Sequence, residues 1–343
     1  MTVQLYCGDC MKVMRQLPDN SVDLIAVDPP YFRMTDEEWD RQWDTASAFL
    51  RWIRDLCRQW QRILRHNGSL YVFASPRMAA RVEVVIGRRF NVLNHIVWAK
   101  PVSRAQRACK EALRAYFSDS ERIIFAEHYG ADNIAKGEAG YAAKCDELRG
   151  FIFEPLRAYL AGEWERAGLT PKDANTACNT VDMASRHFFS VSQWCLPTAK
   201  HYAAMREYAN NHDHGGQYLA REYEDLRREY EDLRREYEDL RRPFSVTADV
   251  PYTDVWTFSS VPSYAGRHPC EKPLAMMEHI IRASSKPDAV VLDCCCGSGT
   301  TGVAAVKLGR SFIGIDKEQH WIDRTRARIA EVQRQPALFI DEG

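Results

Sequence analysis

The sequence predicts an α/β protein: a mostly parallel sheet flanked by helices, interrupted by an inserted helical region. Three observations carry this. Near the N-terminus, β-branched apolar runs alternate with helical periodicity. From Asp146 to Asn211 the alternation stops and only helical patterns remain. From Asp288 it resumes, and the stretch Val291-Leu-Asp-Cys-Cys-Cys-Gly-Ser-Gly-Thr-Thr-Gly302 sets a glycine-rich turn between a strand and a helix start. Gly297, Gly299 and Gly302 match the dinucleotide-binding spacing G-x-G-x-x-G. Too little chain follows Gly302 to complete a nucleotide-binding sheet, so the rest of that sheet must come earlier in the sequence.

The elements follow in order. Val3 to Tyr6 reads as a short strand, closed by Gly8-Asp9. Val22 to Val27 is the kind of apolar run buried in parallel sheets, and it leads straight into Asp28-Pro-Pro-Tyr31. Ala48 to Leu64 is helical, with apolar positions at Phe49, Ile53, Leu56, Trp60, Ile63 and Leu64. Asn67-Gly68 is a turn signal. Ser69–Ala74, Val92–Trp98 and Arg122–Ala126 are strands. Between the last two lie Lys100, Arg104, Arg107, Lys110 and Arg114, opposed only by Glu111: a solvated helix face or a phosphate track.

Glu154 to Ala167 is a helix, and Thr170-Pro-Lys-Asp173 starts the next, with Thr as N-cap and Pro at the first helical position. That short helix, a turn near Asn179-Thr180-Val181 and a second helix from about Asp182 have helix-turn-helix spacing over residues 170–192. A plain helical insert is the other reading. The heptad Glu222-Tyr-Glu-Asp-Leu-Arg-Arg228 then recurs unchanged at 229–235 and 236–242. Its Tyr and Leu residues form an a/d stripe, and Glu224–Arg228, Glu231–Arg235 and Glu238–Arg242 are candidate i,i+4 pairs. The expected helix spans 217–242, ends at Pro243, and lies against its own domain or pairs with a second chain. Val290–Asp293 and Ser311–Asp316 are strands; Thr300–Leu308 and His320–Gln333 are helices.

Composition narrows the class. The 343 residues are 45% hydrophobic with a formal net charge of −1, so any nucleic-acid surface must be local. With no signal peptide and no apolar run long enough to span a bilayer, a cytoplasmic protein without membrane contact is expected. Eleven cysteines suggest reduced, mostly buried thiols. Cys7 and Cys10 have C-x-x-C spacing but no second pair, and His212 and His214 stand alone, so no metal is expected.

Two constellations carry chemistry. The glycine loop lets backbone approach a ligand closely, and Asp316, ending the next strand, suits ribose hydroxyls. No Lys follows the glycines, which argues against an NTPase phosphate loop. Asp28-Pro29-Pro30-Tyr31 should sit at the C-terminal end of a buried strand, where α/β ligands bind. Its prolines remove donors and stiffen the turn. The Asp28 carboxylate and the Pro29 carbonyl can accept both hydrogens of an exocyclic amine, and Tyr31 offers a ring face to a planar base. Accepting those hydrogens moves the nitrogen toward a tetrahedral form whose lone pair can attack a methyl group.

With Asp28–Tyr31 early, the glycine loop late and His268-Pro-Cys-Glu-Lys-Pro273 just before it, the chain resembles the β-class amino DNA methyltransferases. The match covers roughly 3–128 and 252–332 and includes Gly8-Asp-Cys10, Leu17–Leu24, Ile96–Lys100 and Gly309–Asp316. The resemblance implies a Rossmann-like methyltransferase sheet in circularly permuted motif order. Residues 1–128 would be the catalytic half, 129–250 the target-recognition region and 251–343 the cofactor half. It implies S-adenosylmethionine as methyl donor and double-stranded DNA as partner, with the target base flipped out of the helix. Carried over by position, Asp28, Pro29, Pro30 and Tyr31 are catalytic. Asp9, Cys10, Lys272, Asp293, Cys295, Gly297, Ser298, Gly299, Thr300, Thr301 and Asp316 bind cofactor, with Lys272 near the methionine carboxylate, Asp9 near the adenine edge and Asp316 on the ribose. Cys294 and Cys295 stand where the family usually has Pro and an aromatic.

Lys100, Arg104, Arg107, Arg186 and His187 are candidate DNA contacts. Trp39 and Trp43 either close over a flipped base or belong to a core. The acid at Asp28 favours N6 of adenine over N4 of cytosine. A glutamine-amide or RNA methylase and an inactive DNA-binding protein are the weaker readings. A homodimer is expected from the heptads and the family's habits. No nuclease domain is expected, so any restriction partner would be a separate chain.

Overall fold

The computed structural model describes residues 1–100, 114, 116, 118–128, 149–191, 193–212, 216–246 and 253–334. The chain divides into two compact units, Met1–Gly137 with Arg242–Gly343, and Glu138–Arg241.

In the first unit, β1 (Val3–Cys7), β2 (Val22–Val27), β3 (Leu64–Ala74), β4 (Asn91–Ala99), β5 (Ser120–Glu127), β6 (Val255–Thr257), β7 (Val290–Asp293) and β8 (Ser311–Asp316) form one sheet. Their order is β1-β8-β7-β2-β3-β5-β4-β6. The strands from β1 to β3 run parallel, β5 is antiparallel to both its neighbours, and β6 is parallel to β4. The C-terminal strands β8 and β7 thus sit together between the N-terminal β1 and β2 in the parallel half, as the permuted order requires.

Successive residues of β2 enter opposite cores. Val22, Ile25 and Val27 join one cluster, with Phe49, Ile53, Leu56, Trp60 and Ile63 of α3 (Ala46–Ile63). Leu24 and Ala26 join the other, with α10 (Leu274–Ser284), α11 (Thr300–Lys307) and α12 (Gln319–Arg334). The one acid in the strand, Asp23, is satisfied: it accepts from Val290 N at 2.8 Å and pairs with Arg65 at 2.8 Å. Helix α3 begins two residues earlier than its apolar pattern suggests, because Thr45 caps it, its side chain accepting from Ala48 N at 3.1 Å.

Asn67-Gly68 does not separate helix from strand. β3 starts at Leu64, and its register against β2 jumps between Val22↔Leu64 and Leu24↔Ser69. The turn signal lies in that irregularity, inside the strand. The expected boundary near residue 250 also moves, to Arg241/Arg242. Arg242 donates to Glu127 at 2.8 Å, their side chains 6% and 0% exposed, and its guanidinium lies over Phe125 and Phe244. This buried pair ties the returning chain to β5 nine residues before the expected start of the cofactor half at residue 251.

In the second unit, α5 (Glu154–Arg166), α6 (Asp173–Cys178), α7 (Met183–Phe189), α8 (Ala199–His212) and α9 (Tyr223–Leu240) enclose one core. The start signal is used differently: α6 begins at Asp173, not at Pro171, and Thr170 does not cap it but donates from N and Oγ1 to the Asp173 carboxylate at 2.7 Å each. Asn179 takes a left-handed φ of 51° and turns the chain between α6 and α7. Asn175 staples the two helices. It donates to Ser185 Oγ at 2.9 Å and accepts from Ser185 N at 3.0 Å and Thr180 Oγ1 at 3.1 Å.

The heptad helix is shorter than 217–242. Leu219 is left-handed (φ 53°), and the N–H groups of Tyr218, Leu219 and Arg221 bond to side chains of other helices. Leu219 N donates to Glu163 Oε2 at 2.8 Å, while its carbonyl accepts from Arg206 Nε at 2.7 Å and Tyr202 Oη at 3.0 Å. At the far end Arg241 is extended, as the residues leading into Pro243 favour. The a/d stripe faces inward: Leu226 and Tyr237 are buried, with Tyr223, Tyr230 and Leu233 packed around the same cluster. It is covered by its own unit, which removes the heptads as a reason to expect a dimer. Arg228 and Arg235 pair with Asp225 and Asp232 at i,i+3, in place of the expected i,i+4 glutamates. Among the described residues no helix is long and apolar enough to cross a membrane.

This packing predicts unequal effects at the same position of the first and third repeats. Leu226→Ala should cost about 2–5 kcal/mol of stability, and Leu240→Ala, half-exposed at the helix end, under about 1. Urea denaturation followed by circular dichroism measures both; equal small effects would place the stripe outside the core.

Candidate active site

β2 and β7 lie side by side, pairing Leu24 with Val291 and Ile25 with Leu292. From β2 the chain proceeds to β3 on one side; from β7 it proceeds to β8 on the other. Such a divergence opens a crevice beyond the strand ends. Asp28-Pro-Pro-Tyr31 and the Asp293–Gly299 loop emerge there together. A cavity of about 560 Å³ opens at this point, lined by Gly8 to Cys10, Asp28 to Tyr31, Trp39, His268, Cys294, Cys295, Asp316 and Trp321. It shares Asp28, His268, Cys270 and Cys295 with a smaller one of about 40 Å³, lined also by Lys272, Asp293, Ser298, Thr300 and Thr301.

At Asp28-Pro-Pro-Tyr31, four charges and one hydroxyl are mutually bound. Lys272 Nζ lies 2.6 Å from Asp28 Oδ2 and 3.1 Å from Glu121 Oε2. Tyr31 Oη donates to Glu121 Oε2 at 2.7 Å, and Lys100 Nζ pairs with Glu121 Oε1 at 2.7 Å. Asp28 Oδ1 is buried and has no partner. Burial raises the Asp28 carboxyl above its ordinary range; Lys272 opposes this, and the Glu121 charge reinforces it. Burial would raise Glu121 too, but Lys272 and Lys100 outweigh it and hold that carboxyl down to about 2. Burial would lower Lys272, yet Asp28 and Glu121 keep it charged well above the usual lysine range. Burial and the same two carboxylates keep the Tyr31 hydroxyl protonated.

The loop after Tyr31 is held by Asp40, which is fully buried. Its carboxylate accepts from the backbone N–H of Tyr31 at 2.7 Å, Met34 at 2.5 Å and Thr35 at 2.7 Å. Phe32 and Arg33 both take left-handed φ values, 64° and 60°, which non-glycine residues rarely adopt. Asp40 and a backbone bond from Arg33 N to the Asp40 carbonyl at 2.9 Å supply the compensation.

On the other side, Gly297 and Gly299 are left-handed (φ 48° and 79°), and a Cβ at Gly299 would lie 2.4 Å from Thr325 Oγ1. Asp316 Oδ2 accepts from Gly297 N at 2.9 Å and Oδ1 from Glu318 N at 3.0 Å, each oxygen keeping further acceptor capacity. Asp293 accepts from Thr301 Oγ1 at 2.6 Å and Cys295 N at 3.1 Å; burial pushes it up to about 7. Asp9 caps α1 (Cys10–Met14), accepting from Lys12 N at 3.0 Å. The three cysteines divide by direction. Cys294 joins the α3-side core and Cys296 the α11-side core, while Cys295 borders both cavities; the neighbouring Cys294 and Cys295 lower the Cys10 thiol.

All the sequence-predicted catalytic and cofactor residues except Gly299 line one or both cavities, and Gly299 shapes the loop between them. Lys272 reaches Asp28. Trp39 lines the larger cavity, stacked on His268 at 6.0 Å, whereas Trp43 is a core residue against Phe49 and Trp52. Lys100 is committed to Glu121; Arg104 and Arg107, like Lys110, lie outside the described residues. In the second unit Arg186 is exposed, and His187 Nδ1 lies 3.1 Å from Gln193 O.

Sequence reasoning missed Glu121 and Asp40, and with them Glu271 and Arg328. Those two pair at 3.2 Å and bind the glycine loop through Ser298. Only Glu121 left a signal, an acid opening an apolar strand.

The profile of the N6/N4 DNA methylase family matches residues 22–327. The chain belongs to this family. It is a DNA methyltransferase with the family's Rossmann-like sheet. It is 22% identical to the type II methyltransferase M2.MboI of Moraxella bovis, over 96% of this chain and 88% of that one. It is 25% identical to M2.LlaDCHI of Lactococcus lactis subsp. cremoris, over 95% and 88%. Among solved structures, the fold is similar to M1.HpyAVI bound to SAM (TM-score 0.50, 19% identity, 96% and 99% coverage). It is also similar to the cytosine-N4-specific PvuII DNA methyltransferase (TM-score 0.54, 12% identity, 97% and 90%).

Asp293 makes the stability of this methyltransferase pH-dependent. Between about pH 4 and pH 7 the folded state keeps a proton that the unfolded chain has released, so this group's contribution falls as pH rises. Asp293→Asn removes that slope. The melting temperature of the variant, relative to the parent, should therefore climb from pH 5 to pH 8; a constant difference would refute the assignment.

Proposed function

We propose that this enzyme transfers a methyl group from S-adenosylmethionine to N6 of an adenine extruded from duplex DNA. One observation carries the reading: Asp28 Oδ1 is a buried acceptor without a partner, and Asp28 and Tyr31 both line the cavity. An exocyclic amine held there gives one hydrogen to Oδ1 and another to the Pro29 carbonyl, and its base lies against Tyr31. Burial strengthens these bonds and excludes competing water. The nitrogen lone pair is thereby freed from the ring.

The cofactor is S-adenosylmethionine, which supplies an electrophilic methyl when bound. The larger cavity falls within the range of small-molecule sites and fits an adenosine ligand. Asp316 retains acceptor capacity for ribose hydroxyls, and Asp9 and Trp321 line the same end. Asp293, Thr301 and the glycine loop line the smaller cavity, where polar contacts to the methionine portion would form. M1.HpyAVI, a structural neighbour, was solved with SAM. Sequence selection falls to the second unit, where α6 and α7 form a stapled helix-turn-helix with Arg186 on its exposed side.

Methylated duplex DNA, digested to nucleosides and read by mass spectrometry, should contain N6-methyladenine. N4-methylcytosine alone would overturn the base assignment. Asp28→Ala should slow transfer by roughly 10²- to 10⁴-fold with S-adenosylmethionine affinity unchanged. Transfer at the parental rate would remove Asp28 from the mechanism.

A further inference from the structure

Glu121 belongs to neither sequence motif, and it joins them. It stands at the start of β5, across the ladder from Trp98, with its side chain only 16% exposed. One of its oxygens accepts from Tyr31 Oη and contacts Lys272; the other pairs with Lys100. Lys272 has two carboxylates to serve. Its ammonium is shared between Asp28 Oδ2 and Glu121 Oε2, and also lies 3.4 Å from the Cys270 carbonyl. With Glu121 in place, the lysine engages one oxygen of Asp28 and the other is left without a partner. Without it, Lys272, 93% buried and still charged, would have Asp28 as its sole anionic partner and would close on both oxygens. The same carboxylate fixes the Tyr31 hydroxyl, and so the tilt of the ring.

We infer that Glu121 is a positioning residue for methyl transfer: by sharing Lys272 and holding Tyr31, it keeps Asp28 Oδ1 open to the target amine. This rests on the proposed function, because the open oxygen matters only if an amine binds there.

The charges around Asp28 give the inference a signature that loosened packing would not. Lys272 and Cys270 face it from the segment before α10, Glu121 from β5, Asp293 from the end of β7, and Tyr31 from its own loop; Lys100 acts at one remove, through Glu121. Glu121, held down to about 2, stays ionised across the working range, so its own titration does not enter. Glu121→Gln keeps an acceptor for Tyr31 and removes a negative charge near Asp28. The acidic limb of the rate profile, set by ionisation of Asp28, should move to lower pH. Lys100→Met removes a positive charge and should move the limb to higher pH. Loss of packing would hydrate Asp28 in both variants and move both limbs the same way.

The test is steady-state methyl transfer to duplex DNA from pH 5 to pH 9, for the parent and both variants. Glu121→Gln should lower kcat by roughly 10- to 100-fold, with KM for DNA within about threefold, since the loss is one of alignment. Its Tyr31→Phe combination should lose less than the product of the single losses, because both act through one bond. Limbs that shift together, or a Glu121→Gln kcat within twofold of the parent, would overturn the inference. A parent that transfers no methyl to DNA would instead overturn the proposed function.

Discussion

The pairing of β2 with β7 is the constraint on which the rest depends. These strands come from opposite ends of the chain, yet Leu24 lies beside Val291 and Ile25 beside Leu292. Both are buried on two faces, so neither can slip by one residue without exchanging its two cores. That register sets Asp28 and Asp293 at neighbouring strand ends, one bearing the Asp28-Pro-Pro-Tyr31 turn and the other the glycine loop. Because the chain leaves the two strands in opposite directions, no helix start fills the gap between them, and the cavity stays open.

A buried charge cluster spans the gap. Lys272 is the connection: its segment precedes α10 on the cofactor side, and its ammonium reaches Asp28 and Glu121. Burying one such ion alone would be costly, and the cluster is tolerable because two carboxylates oppose two ammonium groups. The balance still leaves one oxygen of Asp28 unsatisfied. An unpaired buried acceptor destabilises the free protein, and binding a donor there recovers the loss. Similar reasoning applies to the left-handed Phe32 and Arg33, whose conformations Asp40 sustains beside the site.

Much of the fold was legible because burial imposes period. β2 emerged with its predicted ends, and α3 carried all five of its expected inward residues through Ile63. Where neighbours overrode local signals, the reading failed. Asn67-Gly68 looked like a turn, but pairing with β2 carried the strand past it. Gln217–Glu222 continued a heptad, but Glu163, Tyr202 and Arg206 claimed its backbone groups. A seven-residue repeat announces an apolar stripe; whether that stripe meets a second chain or its own unit depends on what lies opposite, and here Phe153, Trp194 and Tyr202 lie there.

By itself the sequence determined most of the elements, the permuted order of the two halves and the place of Asp28-Pro-Pro-Tyr31 at the end of a buried strand, since each is a local pattern or a linear spacing. The tertiary structure alone decided which charges meet. Glu121 sits 93 residues after Asp28 and Lys272 another 151 beyond it, and no local pattern links them. Their association follows from sheet order, which brings β5 and the segment before α10 to the mouth of β2. The triple cysteine shows the same division. The run was visible at once, but only the two cores show that Cys294 and Cys296 pack on opposite sides of the sheet while Cys295 borders both cavities.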